Sequence, residues 1–235
     1  MALLSMDPFS PAELAAIALS LKVASVAALA SLPFGIAMGW LLARRDFPGK
    51  SLLDALVLLP LVLPPVVVGY ALLVLLGNNG MIGAPLREWF GIGFAFRWTG
   101  AALASAIMGF PLMVRSIRLS IEAVDRTLEQ AASTLGATRW RVFRSVTLPL
   151  AWPGILAGTV LAFAKALGEF GATITFVSAI PGETQTIPSA IYGLLQVPGG
   201  ERGVLRLALV ALAISLLALL AAEALARRMR HEAPR

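Results

Sequence analysis

The chain has 235 residues, 58% of them hydrophobic and 14% charged, with a mean hydropathy of +0.84, a formal charge of +6 and a pI near 10.7. A water-soluble domain carries roughly 45–50% apolar and about 25% charged residues, so this composition excludes a chain wetted on all sides. Cysteine is absent and His231 is the single histidine, which excludes disulfides and thiolate chemistry and leaves no histidine-based metal site or triad.

Five apolar runs reach the ~20 residues that a spanning helix needs: 14–42, 52–76, 98–119, 149–180 and 204–226. The expectation is an all-α polytopic membrane protein in one domain, 1–235. The first run opens on "SPAE", where Ser10 can cap, Pro11 suits the first turn and Glu13 completes a capping box. A signal peptide is not expected, because the first basic residue is Lys22 and the run is too long for an apolar leader core. Lys22 sits in the outer part of this run, where its stem can reach the interface; the other reading is that it attracts an anion at the outer mouth. Gly35/Gly39 here, and Gly154/Gly158 in the fourth run, have the small-residue spacing of packed membrane helices, within the chain or against a second copy.

Between the first two runs "PGKS" at 48–51 has the end of a phosphate-binding loop, but the glycine it needs at 44 is Arg44. Nucleotide binding by this chain is not expected. The second run contains "PLVLPP", and Pro60, Pro64 and Pro65 remove three amide donors, so the helix should kink or break there.

After the third run comes a charged insert, 125–145. Asp125 can cap a helix with Leu128, Ala131, Ala132 and Leu135 on one face. Gly136 interrupts it, and a second amphipathic turn sets Trp140 and Phe143 against Arg139, Arg141 and Arg144. Pro149 and Pro153 are expected to reset the chain as the fourth run begins. By periodicity alone, the insert is an amphipathic helix held at the surface by lipid phosphates.

Within the fourth run Lys165 and Glu169 are one helical turn apart, a spacing that permits a pair. A pair that only neutralises itself and a pair that serves a transport route are both open. Gly168 and Gly171 loosen the helix, and the run is too long for one straight span. A break at "GEFGAT", 168–173, is expected, and the freed backbone must line a cavity or be buried in protein. Gly168, Glu169, Gly171 and Thr173 are therefore gate or pathway candidates with Lys165, Pro60, Pro64 and Pro65, the two interrupted runs facing each other across the route. The segment 186–196 is too short to span and reads as an interfacial or re-entrant helix.

Orientation follows from basic residues in the connections. With the N-terminus outside, the cytoplasmic side holds Arg44, Arg45, Lys50, Arg115, Arg118, Arg126, Arg139, Arg141, Arg144, Arg227, Arg228, Arg230 and Arg235; the outer side holds only Arg87, Arg97, Arg202 and Arg206. The N-terminus is therefore expected outside and the C-terminus inside. The basic excess is thereby explained as a topology signal, with no nucleic-acid partner.

One pattern in the insert goes further. Ala131-Ala132, Gly136 and, after nine intervening residues, Val146-Thr147-Leu148-Pro149 resemble the EAA motif of the permease subunits of bacterial ABC importers. "SLPFGIAMGWLLARRDFPGKSLLDALVLLPLVLPPVVVGYALLVLLG", "FPLMVRSIRLSIEAVD" and "LAFAKALGEFGATITFVSAIPGETQTIPSAIYGLLQVPGGE" resemble the molybdate-transporter permease family, over nearly the whole chain. "GEFGA" is shared with sulfate permeases, and "ITFVSAIPGETQT" favours molybdate over sulfate.

The resemblance implies a type I importer permease in the bacterial inner membrane, working by alternating access as a homodimer. Its expected partners are a cytoplasmic ABC ATPase dimer, an extracytoplasmic oxyanion-binding protein and the lipid bilayer, with no cofactor and no catalysis in this chain. It makes 125–145 the coupling helix, with Glu129, Gln130, Ala131, Ala132, Leu135, Gly136, Ala137 and Trp140 as ATPase-coupling residues. The motif's glutamate position is Gln130, with Glu129 one residue earlier. A one-residue shift turns a helical side chain by about 100°, so a partner contact for Glu129 does not follow from the motif. A sulfate or tungstate permease is the near alternative. A carrier driven by an ion gradient is the distant one, and it leaves the cytoplasmic insert without a task.

Overall fold

The structure is a computed structural model describing residues 9–232, with side chains as far as Leu225; Arg235, counted in the orientation, lies outside the described residues. In chain order the helices are α1 (Pro11–Arg44), α2 (Lys50–Val62), α3 (Pro65–Leu76), α4 (Gly83–Phe90), α5 (Trp98–Glu122), α6 (Arg126–Thr134), α7 (Arg139–Val142), α8 (Leu148–Leu167), α9 (Gly171–Val177), α10 (Ile187–Leu194) and α11 (Glu201–Glu232). Four continuous helical stretches are long and apolar enough to cross a membrane: α1, α5, Arg139–Leu167 and Glu201–Leu225. Counting α2 and α3 together as one bent span gives five.

α1 starts as its sequence dictates. The Glu13 amide donates to Ser10 Oγ at 3.2 Å, and the Ser10 amide donates to Glu13 Oε2 at 2.7 Å, satisfying two of the donors that a helix start leaves unpaired. Glu13 also takes two hydrogen bonds from Arg206 Nη2, at 2.8 and 3.1 Å, which ties the start of α1 to the start of α11.

α5 is the central post. Gly35 and Gly39 of α1 abut Met113 and Ile117, so closely that a Cβ on Gly39 would lie 2.8 Å from Ile117 Cγ2. On the adjoining face Gly154 and Gly158 of α8 abut Ser116, Ser120 and Met113. Both small-residue pairs are thus spent on α5 within the chain, not on a second copy. Ser116 Oγ donates to Gly154 O at 2.9 Å and Ser120 Oγ to Ala151 O at 3.2 Å; such interhelical bonds contribute about 0.6 kcal/mol each in lipid.

The second run breaks at its prolines, as expected: α2 and α3 meet at an angle of 110°, with Pro64 extended at φ −55°, ψ 132° where the chain turns. The residue before a proline is pushed out of the α region, which sets Leu63 (ψ 143°) and Pro64 extended in succession. One expectation needs correction: Pro149 and Pro153 do not reset the chain. Helix runs on from α7 through a π turn, Phe143–Thr147, into α8. The Leu148 amide donates five residues back to Phe143 O, and this looser turn admits Pro149, whose ring would clash with a regular i−4 carbonyl.

The fourth run does break. α8 ends at Leu167 and α9 begins at Gly171. α10 is packed rather than laid across the chain: Ile187 and Ala190 are buried against Ala16 and Leu207. Its Ile187 amide donates to Ser20 Oγ at 2.7 Å, about 14 Å along α1 from Pro11 at 1.5 Å per residue. α11 is peripheral, with 6% of its most apolar window buried inside the chain.

Candidate functional site

The charged insert folds into two short helices around a glycine turn. Asp125 Oδ1 accepts the Thr127 amide at 2.8 Å and starts α6. That backbone hydrogen bond, with a further one from the Thr127 side chain, holds the Asp125 carboxyl below its ordinary range. Gly136 takes φ +85°, a left-handed conformation that costs glycine least, and Ala137 N–H returns to Ala132 O at 3.1 Å. Thr138 caps α7, its Oγ1 accepting the Arg141 amide.

The coupling candidates divide between two faces. Leu128, Ala131 and Leu135 are exposed, Leu135 to 89%, and Ala132 is half-buried beside them. This apolar row on a polar helix is left uncovered among the described residues. Trp140, 68% exposed, stacks on Phe143 with ring centroids 5.5 Å apart, and Phe143 meets the edge of Trp40 at 6.0 Å. Gln130 and Gly136 are exposed and Ala137 is half-buried. Glu129 turns inward: its Oε1 accepts from Arg44 Nη2 at 3.1 Å and from Thr147 Oγ1 at 2.6 Å. Arg44 also donates to Val124 O at 3.0 Å. Glu129 thus bolts α6 to the end of α1 and to the π turn, a role its sequence position did not reveal because its partner is 85 residues away.

The broken segments form a second group. Lys165 Nζ donates to Glu169 Oε2 at 2.9 Å, and Glu169 Oε1 accepts the Ala172 amide at 3.0 Å. The carboxylate therefore pairs backwards with α8 and caps α9 forwards, with its side chain 1% exposed against 32% for Lys165. Thr173 Oγ1 donates to Phe170 O at 2.9 Å. Gly171 lies against Pro65, where an added Cβ would come within 2.7 Å of Pro65 Cβ; a Cβ on Gly69 would lie 2.5 Å from Ala172 O.

The two interrupted segments face each other and are in contact. Val68, Leu72, Ala172, Phe176 and Val177 make one buried apolar cluster with Ala101 and Met108 of α5. Pro60 stands apart, on an apolar groove lined by Phe34, Leu56, Phe94 and Phe110. Gly168 lines another groove with Phe170, Pro188 and Tyr192. Lys22 reaches neither group; its Nζ lies 3.7 Å from the centroid of the Trp98 ring, a cation–π contact. Among the described residues, no group of three or more His, Cys, Asp or Glu side chains could hold a metal.

A bundle with broken helices at its centre and an uncovered amphipathic insert at one end is the plan of a transport subunit, and comparison with known proteins places it. Residues 31–231 match the family described as binding-protein-dependent transport system inner membrane component. The chain belongs to this family and is a multi-pass inner-membrane permease. It is 64% identical over 223 residues, 95% of this chain and 97% of the relative, to the molybdenum transport system permease protein ModB of Escherichia coli K12. It is 40% identical over 80% of its length to the sulfate transport system permease protein CysT of the same strain, covering 67% of that protein. Its fold matches a bacterial ABC transporter involved in import of the acidic polysaccharide alginate, with TM-score 0.74 and 19% identity over 94% of this chain and 80% of that one.

Proposed function

We propose that this chain is the permease subunit of an ATP-driven ABC importer that moves molybdate inward across the cytoplasmic membrane. The observation that carries the cargo is the 64% identity, along almost the full length of both chains, to a molybdenum permease, against 40% over a shorter stretch to a sulfate permease. Five crossings run with the N-terminus outside and the C-terminus inside, α2–α3 serving as one broken crossing. The excess of Lys and Arg on the inner connections supports this orientation.

Two copies form the route between them. This reading is supported by the close apolar contact of α3 with α9, which fills the space between them among the described residues. An ATPase dimer docks from the cytoplasm on Leu128, Ala131, Ala132 and Leu135, and an extracytoplasmic oxyanion-binding protein delivers the cargo. ATP binding shifts the pair of permeases between outward- and inward-open states, which requires the ATPase to bind one state better than the other. Lys165, Glu169, Gly171 and Thr173, with Pro64 and Pro65 opposite, form the segment whose repacking opens and closes the route.

The test is uptake into vesicles holding this chain, with and without its ATPase and binding protein, with molybdate, tungstate and sulfate in competition. Uptake that needs both partners and ATP and prefers molybdate is expected. Preference for sulfate would keep the assembly and overturn the cargo; uptake by the chain alone would overturn the coupling role of α6.

A further inference from the structure

The inward face of the coupling region encloses a cleft that the transport cycle described above does not use. It lies between the end of α1, α6 and the start of α7, has a volume of roughly 630 Å³, and includes Trp40, Arg44, Arg45, Arg126, Glu129 and Arg139 in its walls. Four arginines and one carboxylate thus line it, and among the described residues Arg44 alone pairs with the carboxylate. Asp46 acts on Arg126 at longer range, but it is bound to Lys50 at 2.8 Å. Neither Arg126 nor Arg139 forms an ion pair among the described residues.

Arg44 is the telling residue. Its side chain is 9% exposed, and its Nη2 is committed to Glu129 and to Val124 O. Its Nε is buried with no acceptor. A buried donor on a charged group left unpaired is costly, and such groups in native proteins have a reason. Guanidinium forks match the oxygens of tetrahedral oxyanions in geometry and charge. Among the described residues, Glu129 is the one carboxylate lining the cleft and is already shared by Arg44 and Thr147, so the positive charge there is only partly offset.

We propose that this cleft is an oxyanion-binding site, separate from the translocation route, which takes a phosphate-like tetrahedral group between Arg44, Arg126 and Arg139. The group is either the phosphodiester of a membrane lipid, since the cleft opens beside the end of a spanning helix, or a free oxyanion from the cytoplasm. In both cases occupancy braces α6 and α7 against α1, and so stiffens the element on which the ATPase acts. The site does not depend on which oxyanion is the cargo.

The experiment titrates the full chain, in lipid-free nonionic detergent, with inorganic phosphate and with molybdate against chloride at matched ionic strength, by calorimetry. Saturable binding at one ion per chain is expected, weakened about tenfold or more by Arg126→Gln or Arg139→Gln, as loss of a charge-assisted hydrogen bond implies. These two arginines are exposed, so their variants keep the test valid even where Arg44→Gln, which also removes the brace on Glu129, fails to fold. Repeating the titration in nanodiscs separates the sources. Loss of the signal in both phosphatidylglycerol and phosphatidylcholine discs assigns the site to a lipid phosphodiester of either kind, loss in phosphatidylglycerol discs alone to an anionic lipid, and persistence in both to a free ion. No saturation in detergent, or saturation that the arginine variants leave unchanged, overturns the proposal.

Discussion

Two carboxylates, Glu13 and Glu129, show how single residues hold this bundle at its ends. Glu13 sits beneath Arg206 with 6% of its side chain exposed, against 27% for the arginine. Removing one member of a buried pair costs about 3–5 kcal/mol; with Arg206 a quarter exposed, Glu13→Gln should cost about 2 kcal/mol, seen as a lower thermal unfolding temperature of the detergent-solubilised chain. The double variant Glu13→Leu, Arg206→Met should recover most of that loss, because two apolar groups leave no charge stranded. The capping half of Glu13's role was legible in "SPAE", where spacing alone puts serine and glutamate in reach. The pairing half was not, since Arg206 is 193 residues away and nothing local marks it. Glu129 repeats the lesson: the motif offset warned against a partner contact, but only the folded chain supplies Arg44 and Thr147.

At the scale of elements, the starts of helices were legible and their angles were not. Ser10 and Asp125 cap where their side chains can reach amides two or three residues on. The break at 168–170 followed from two glycines and an overlong run. Three prolines foretold an interruption between α2 and α3, but the 110° bend is set by α3 packing on α9, where Gly69 and Gly171 let the two backbones close up. The π turn was hidden because it depends on how Pro149 is accommodated rather than on any periodicity.

Asp125 offers a test of the coupling element. Its carboxyl is held low by the Thr127 amide, so its contribution to α6 is present above the unfolded carboxylate range and is lost as pH falls through the lowered folded value. Protection of the α6 amides, corrected for intrinsic exchange, should stay flat from about pH 8 to pH 5 and fall only in stronger acid. Asp125→Asn should remove the acid transition, because an amide oxygen still caps, and Asp125→Ala should lower protection at every pH.

For the whole molecule, the division is between a fixed post and an exposed end. α1 and α8 pack closely on α5 through small residues, while Leu135 stands 89% exposed at one end of the bundle. Leu135→Glu should therefore leave the chain folded, with an unchanged unfolding temperature, and abolish co-purification with the ATPase subunit. Loss of the fold instead would show that Leu135 packs within the chain. The run from Arg139 to Leu167 passes through the π turn without a gap, so the surface turn carrying Trp140 and the break at Gly168 are the two ends of one rod, about 40 Å long at 1.5 Å per residue. Helices bend far more readily than they shorten. In the proposed cycle, the distance between the surface turn and the break at Gly168 is therefore kept while the rod tilts or bends, with Pro153 inside it as the place where bending is easiest.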